Sequence, residues 1–453
     1  MDRRPLARPA NDEARHAKRR GPVLAFAPRL AWLVLLLLFG ISATPPRAVF
    51  GQVDPEQEDL GALISEALSR HPRMKAAEAR YAAASALPPQ AGSLPDPVLG
   101  LKAVNLRVDD VALDSSPMAG LELSFQQGLL FPGKRGRRRS VAEAIEQTEF
   151  TRTELVAAET RARVESAYWH YAMADRVEQI TRENITVLEQ IVDMAHSRFA
   201  VGGGAQQDIL QAQSTLAELG AQLLQRAQET STAGKALNTA VGRAPNGHLG
   251  TASPAPLDSI RLNADEISRL SSEASPSIRV QMSLVERGRS ALEEAKHDRW
   301  PNVGLAAGYR FRDPAGDTTD GADMFFLALN STLPVFAGSK QNRRVQQEAS
   351  QLTEAIAEEM DERLSVGLSV ETLLDEIRRL RNQTLMYVDQ VLPQDELALE
   401  ASLSDYSVAR VGFLSILENW QRLLRDRITV EALRAQRGSR MAALRALIGK
   451  ELQ

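Results

Sequence analysis

Across residues 137–199 the chain runs for 63 residues with almost no helix breaker. At 1.5 Å per residue, that is a rod of roughly 95 Å. Val164, Tyr171, Ile185, Val192 and Phe199 recur seven or fourteen apart, and Ala167, Ala174, Leu188 and Ala195 fill the stripe between them. This is an a/d heptad seam. A second seam of Met173, Val177, Ile180, Val187, Ile191 and Met194 lies on another flank. A helix with two apolar flanks needs two helical neighbours, which points to a sheet or barrel of helices rather than a lone coiled coil. After Val201-Gly202-Gly203-Gly204, a return helix carries Ile209, Ala212, Leu216, Leu219, Leu223, Ala233, Leu237 and Ala240 in 3-4 spacing. The two helices are predicted over about 134–200 and 206–241.

Upstream, the period changes. Residues 60–69 and 73–86 read as short helices broken at His71-Pro72, and Ser93-Leu94-Pro95-Asp96-Pro97 is a stop. Two strands are predicted, over about 97–108 and 118–127. In the first, Val104, Leu106 and Val108 face away from Asn105 and Arg107. The second alternates more cleanly, with Ala119, Leu121, Leu123 and Phe125 opposite Gly120, Glu122, Ser124 and Gln126.

The pattern then begins again. Pro301 stands 206 positions after Pro95, Gly338 stands 205 after Gly133, and Ser415-Ile416-Leu417 stands 207 after Asp208-Ile209-Leu210. Ile416, Leu423, Val430 and Leu444 keep the register of Ile209, Leu216, Leu223 and Leu237. Strands recur over about 302–312 and 323–333, and long helices over about 339–405 and 413–448. The chain is therefore a duplication: repeat one over 58–243, a Gly/Pro/Ser-rich linker over 244–259, and repeat two over 260–451. The fold class is mostly α with a small β part, built from two helix–strand–strand–long helix–helix units.

Strands of about ten residues with one apolar face suit either a soluble β-layer or a membrane barrel. No second sheet is available to cover that face, and an open sheet edge in lipid leaves backbone groups unpaired. Four strands cannot close on themselves. Three protomers would pool twelve strands into one closed cylinder, with the long helices pooled into a helical tube beneath.

Residues 1–50 read as a targeting segment and N-terminal extension. Eight basic residues from Arg3 to Arg29 precede an apolar run of 12 residues at 30–41, followed by Ser42-Ala43-Thr44-Pro45-Pro46. This fits a secretory signal peptide; the competing transmembrane anchor would need about 20 apolar residues. With net charge −4, no general nucleic-acid affinity is implied. No cysteine is present, which excludes disulfides and thiolate metal sites, and six scattered His residues lack metal-ligand spacing.

Leu94-Pro95-Asp96-Pro97-Val98, Gln126 with Phe131-Pro132-Gly133-Lys134, Phe199-x-x-Gly202 followed by Asp208-Ile209-Leu210, and Leu237-Asn238-x-x-Val241-Gly242-Arg243 resemble the TolC-type outer-membrane efflux proteins. The resemblance covers about residues 58–451. The fuller string from Pro95 through Asn105-Leu106-Arg107-Val108-Asp109-Asp110 and Pro117-Met118 to Lys134 resembles that family's heavy-metal-resistance branch. The resemblance implies a homotrimer with a twelve-strand β-barrel in the outer membrane on a long periplasmic α-helical barrel. It implies a passive exit duct in a tripartite efflux system, partnered by a periplasmic adaptor and an inner-membrane pump of the RND type. An outer-membrane component of type I protein secretion, or a non-conducting exported scaffold, are the alternatives. No enzymatic activity and no cofactor are expected.

The family's tube narrows where long and return helices meet, here at Val201-Gly202-Gly203-Gly204 and Val408-Ala409-Arg410-Val411-Gly412. Val201-Gly202 matches the pair that the family presents to its adaptor, whereas Ala409 replaces glycine in the second repeat. By motif position, Asp208 and Tyr406 fall on contacts that hold the aperture shut, Arg410 lies in the second tip and Glu418 falls on an acidic ring. Val411 stands where the family has an arginine, and Ser415 where it has a second acid, so a thinner closing network is expected. The alternative for Asp208 is that it only caps the return helix.

Two other signals are set aside. The run from Gly128 to Lys134 matches a phosphate-binding G-x-x-x-x-G-K, but Arg135 replaces the magnesium-binding Ser or Thr and Pro132 removes a cradle N–H. The basic cluster Lys134, Arg135, Arg137, Arg138 and Arg139 opposes its helix's dipole, which is consistent either with anionic lipid head groups nearby or with a solvated helix start.

Overall fold

The computed structural model describes residues 58–113, 116, 118–253, 264–312 and 322–449. The targeting segment, most of the linker between repeats and most of the polar loop at 313–323 lie outside them. Repeat one comprises α1 (Leu60–Arg70), α2 (Pro72–Ser85), α3 (Leu87–Ala91), β1 (Val98–Val104), β2 (Gly120–Leu129), α4 (Lys134–Ala200) and α5 (Gln206–Val241). Repeat two comprises α6 (Ala264–Ala274), α7 (Pro276–His297), β3 (Val303–Phe311), β4 (Met324–Ser331), α8 (Gln341–Met386), a π-turn (Tyr387–Val391), α9 (Leu392–Ser407) and α10 (Phe413–Ile448).

α4 is one unbroken helix of 67 residues, about 100 Å long. Both predicted seams are used. Val164, Tyr168 and Tyr171 join Leu63, Leu237 and Val241 in one core, while Leu188, Ile191, Val192 and Ala195 join Ile209, Leu219, Tyr406, Ile416 and Trp420 in another. α4 thus packs against α5 of its own repeat and α10 of the other. The return helices α5 and α10 are each 36 residues long. Each ends at a left-handed glycine, Gly242 (φ 95°) and Gly449 (φ 70°), where a side chain would be strained. Among the glycines within the described helices, the tightest approach falls at Gly438 of α10, where an added Cβ would lie 2.6 Å from the Trp169 indole of α4.

Repeat two departs from repeat one within its long helix. α8, the π-turn and α9 are 46, 5 and 16 residues long and end at the second tip. Before the π-turn, buried Val370 and Leu374 answer Val164 and Tyr168 of α4. Beyond it, buried Leu399 and Ser402 answer Val192 and Ala195, one residue further along. The π-turn is where the extra residue is absorbed.

The strands form one antiparallel sheet in the order β1-β2-β3-β4. Its register makes two chemically distinct faces. One carries the rows Leu99–Phe125–Ala307–Leu327 and Leu101–Leu123–Tyr309–Phe325, and the other carries Lys102–Glu122–Arg310 and Gly100–Ser124–Gly308–Phe326. The apolar face is bare: Leu99 is 71% and Leu327 73% exposed. On the polar face Arg310 donates to buried Glu122 at 2.8 Å. β1 and β4 are open edges. β1 stops at Val104, short of the 97–108 expected, because Asn105 turns left-handed (φ 57°) and its amide donates to Met118 O at 3.1 Å. Leu106 and Val108 therefore never enter the sheet. No described helix is long and apolar enough to cross a membrane.

Candidate functional site

At the end of α4 the chain reverses through Gly202 (φ 74°), with Gly202 N donating to Phe199 O and Gly203 N to Arg198 O, both at 2.9 Å. The second tip repeats this geometry without glycine. Ala409 adopts φ 65°, Ala409 N donates to Tyr406 O at 3.1 Å and Arg410 N to Asp405 O at 2.9 Å. Holding a Cβ-bearing residue there costs roughly 1–2 kcal/mol, so the surrounding packing imposes the turn.

Four helices converge on Tyr406. Its ring is buried, Phe413 of α10 meets it edge-on at 5.7 Å, and the Arg198 guanidinium of α4 lies 4.1 Å from the ring centroid. Its hydroxyl donates to Asp208 Oδ2 of α5 at 3.2 Å. One phenol therefore ties α9 to α4, α5 and α10. Burial, together with the facing Asp208 carboxylate, raises the Tyr406 pKa above its ordinary value, while Arg198 opposes that shift. The bond to Asp208 thus persists through neutral and alkaline pH and is lost only as pH rises past that raised value.

The structure brings Asp208 and Tyr406 together. Asp208 sits in the first turn of α5, favourable to the helix dipole, but α5 has no side-chain cap bond. The capping alternative is replaced by the bond to Tyr406. Arg410 leans towards Asp405 of the same tip at 3.7 Å and forms no ion pair across the tips among the described residues. Glu418 is exposed on α10 and makes no hydrogen bond to any described residue, the Tyr406 cluster included. Val201 is 82% exposed and Val408 60%, so both tips present apolar side chains to solvent in the single chain. Arg198 was not singled out in the sequence. The signal was there: a cation directly preceding Phe199, which is the counterpart of Tyr406 in the repeat.

Among the described residues there is no group of three or more His, Cys, Asp or Glu that could hold a metal ion. Charged side chains elsewhere pair along and between helices, as in Arg243 with Glu66 at 2.7 Å and Arg445 with Glu165 at 2.8 Å.

Residues 63–243 match the family model of outer membrane efflux proteins. The fold is similar to that of the outer-membrane channel OprN, with TM-score 0.72 and 18% identity over 87% of this chain and 90% of that one. It is similar to the outer membrane protein VceC of Vibrio cholerae, with TM-score 0.71 and 19% identity over 87% and 97% of the two chains. It is likewise similar to CusC, with TM-score 0.73 and 17% identity over 88% and 94%. No curated protein matches the chain.

Proposed function

We propose that the chain, which matches the outer membrane efflux protein family over its first repeat and shares the fold of outer-membrane channels over both, is the outer-membrane exit duct of a tripartite efflux system. It is a homotrimer seated in the outer membrane and reaching into the periplasm. An inner-membrane pump of the RND type supplies the energy and chooses the cargo, and a periplasmic adaptor docks on the helical tips through Val201-Gly202. The duct itself conducts passively.

The observation that carries this reading is an unequal covering of two equivalent helices. α4 is flanked by both α5 and α10, whereas α8 has α10 but no α5. The flank left bare carries Ile356, Met360, Leu364 and Leu368 at four-residue spacing, all exposed, Leu364 by 74%. Repeat symmetry names the missing neighbour: α5 of a second copy. The sheet argues likewise, since β2 pairs with β3 across the repeats while β4 and β1 stay open, so β4 of one copy meets β1 of the next. Each contact is head-to-tail and must close into a ring. Two copies would give eight strands and a lumen filled by side chains, whereas three give twelve and a water-filled bore.

The test is electrophoresis of the outer-membrane fraction without boiling, followed by planar-bilayer recording. A heat-modifiable trimer that conducts ions is expected. A water-soluble monomer without conductance would sink the reading in favour of a scaffold.

A further inference from the structure

Repeat one closes its lower hairpin with apolar contacts. Leu188 of α4 and Leu219 of α5 are buried in the same core. Carried into repeat two with the register that holds beyond the π-turn, Leu188 becomes Asp395 of α9 and Leu219 becomes Asp426 of α10. Two core leucines have been exchanged for two aspartates. Asp395 is 6% exposed, and its Oδ2 has no hydrogen-bond partner. Asp426 is partly buried, and the adjoining residues of the two helices, Arg427 and Glu396, meet at 2.7 Å, which sets Asp426 beside Asp395.

Two ionised carboxylates facing one another in such a place repel and leave an acceptor unsatisfied. A single proton removes both penalties, because a protonated Asp426 can donate to an Asp395 oxygen. We propose that Asp426, set against the buried Asp395, is a proton-binding site that clasps α9 to α10 when occupied and loosens the hairpin when empty.

The surroundings fit that role. Burial first, and then the hydrogen bond and charge of Asp395, raise the pKa of Asp426 from its ordinary value, while Arg425 and Arg422 of α10 oppose the shift. Arg427 of α10 is engaged by Glu396 of α9 at 2.7 Å. Asp389 of the π-turn is exposed, and α4 contributes apolar Leu188 and Ile191 to the core shared with α9 and α10. Just before Asp395 the long helix is interrupted by the π-turn and by Pro393 at the start of α9. Such an interruption lets one length of helix move on another. The acid pair therefore sits between a joint and the Tyr406 cluster. With the folded-state pKa raised, stabilisation by the proton is complete below the ordinary aspartate range and is lost as pH rises through the raised value. That this loosening widens an aperture rests on the duct reading; the proton site does not.

Hydrogen–deuterium exchange of the detergent-solubilised trimer, corrected for intrinsic rates and run from about pH 4 to pH 8 across the carboxylate range, tests the proposal. In the wild type, protection of the α9 amides is expected to fall as pH rises through the carboxylate range. Segments of α5 should show no such step. In Asp426→Asn the side-chain amide stands in for the proton, and α9 should stay protected at every pH. The double variant Asp395→Leu, Asp426→Leu restores the residues of repeat one and should be equally protected and flat. Wild-type protection that ignores pH, or a step that survives in Asp426→Asn, overturns the site. A trimer that shows the step yet fails to conduct would instead remove the duct reading and leave the site standing.

Discussion

Tyr406 shows how much one side chain can do at the meeting point of four helices. Tyr406→Phe keeps the ring under Arg198 and against Phe413 but removes the donor to Asp208. A net loss of about 1 kcal/mol is expected, read as a lower midpoint in thermal unfolding, with higher basal conductance in bilayers if the knot holds the tips closed. Ala409→Gly should act in the opposite sense, stabilising the second tip by about 1 kcal/mol through relief of its left-handed backbone. The same unfolding assay checks it. Glu418 stands apart from this knot. Three copies facing one axis would attract cations, so Glu418→Gln should lower cation preference in reversal-potential measurements, and an unchanged potential would take Glu418 out of the pore. Asp208 and Tyr406 were legible because they sit at fixed offsets from the tip motif. Arg198 was not, because what it does depends on an aromatic ring some two hundred residues away in sequence.

At the scale of elements, periodicity carried the reading furthest where burial is one-sided. The heptads of α4 and α10 and the alternation of β2 all reappear as buried or bare faces. The first strand was overrun because alternation continues through Leu106 and Val108, and nothing local shows Asn105 leaving the sheet. The π-turn accounts for one of the two residues by which the repeat offset drifts from 205 at Gly338 to 207 at Ser415. Such a drift fixes that residues were inserted but leaves their place open, because a helix can absorb one residue anywhere along a turn. Helix–helix approach offers a direct test. A methyl added at Gly438 would meet the Trp169 ring at 2.6 Å, and overpacking of this kind costs about 1–3 kcal/mol. Gly438→Ala should therefore lower the unfolding midpoint of the trimer, and a larger residue should lower it further.

For the whole molecule, the duplication made the fold readable, since each repeat is a check on the other. In the proposed assembly, what one chain lacks is where the next would stand. Leu364→Asp places a charge in the middle of the bare α8 stripe, where burial of an unpaired charge costs several kcal/mol. The trimer band on unboiled gels should be lost while the helical content of the chain, read by circular dichroism, is retained. A trimer of wild-type heat resistance would show that the stripe faces solvent or lipid rather than a neighbour.

The two raw edges of the sheet have a consequence for genetics. Because β1 and β4 are different surfaces, in the proposed ring of three a subunit spoiled only at β4 would still be recruited through β1, and the circle it enters would not be completed. Co-expressed with equal amounts of the normal subunit, such a variant would leave roughly one circle in eight free of it, if copies mix at random. Damage confined to one edge should therefore be dominant, whereas loss of the whole polypeptide should be recessive.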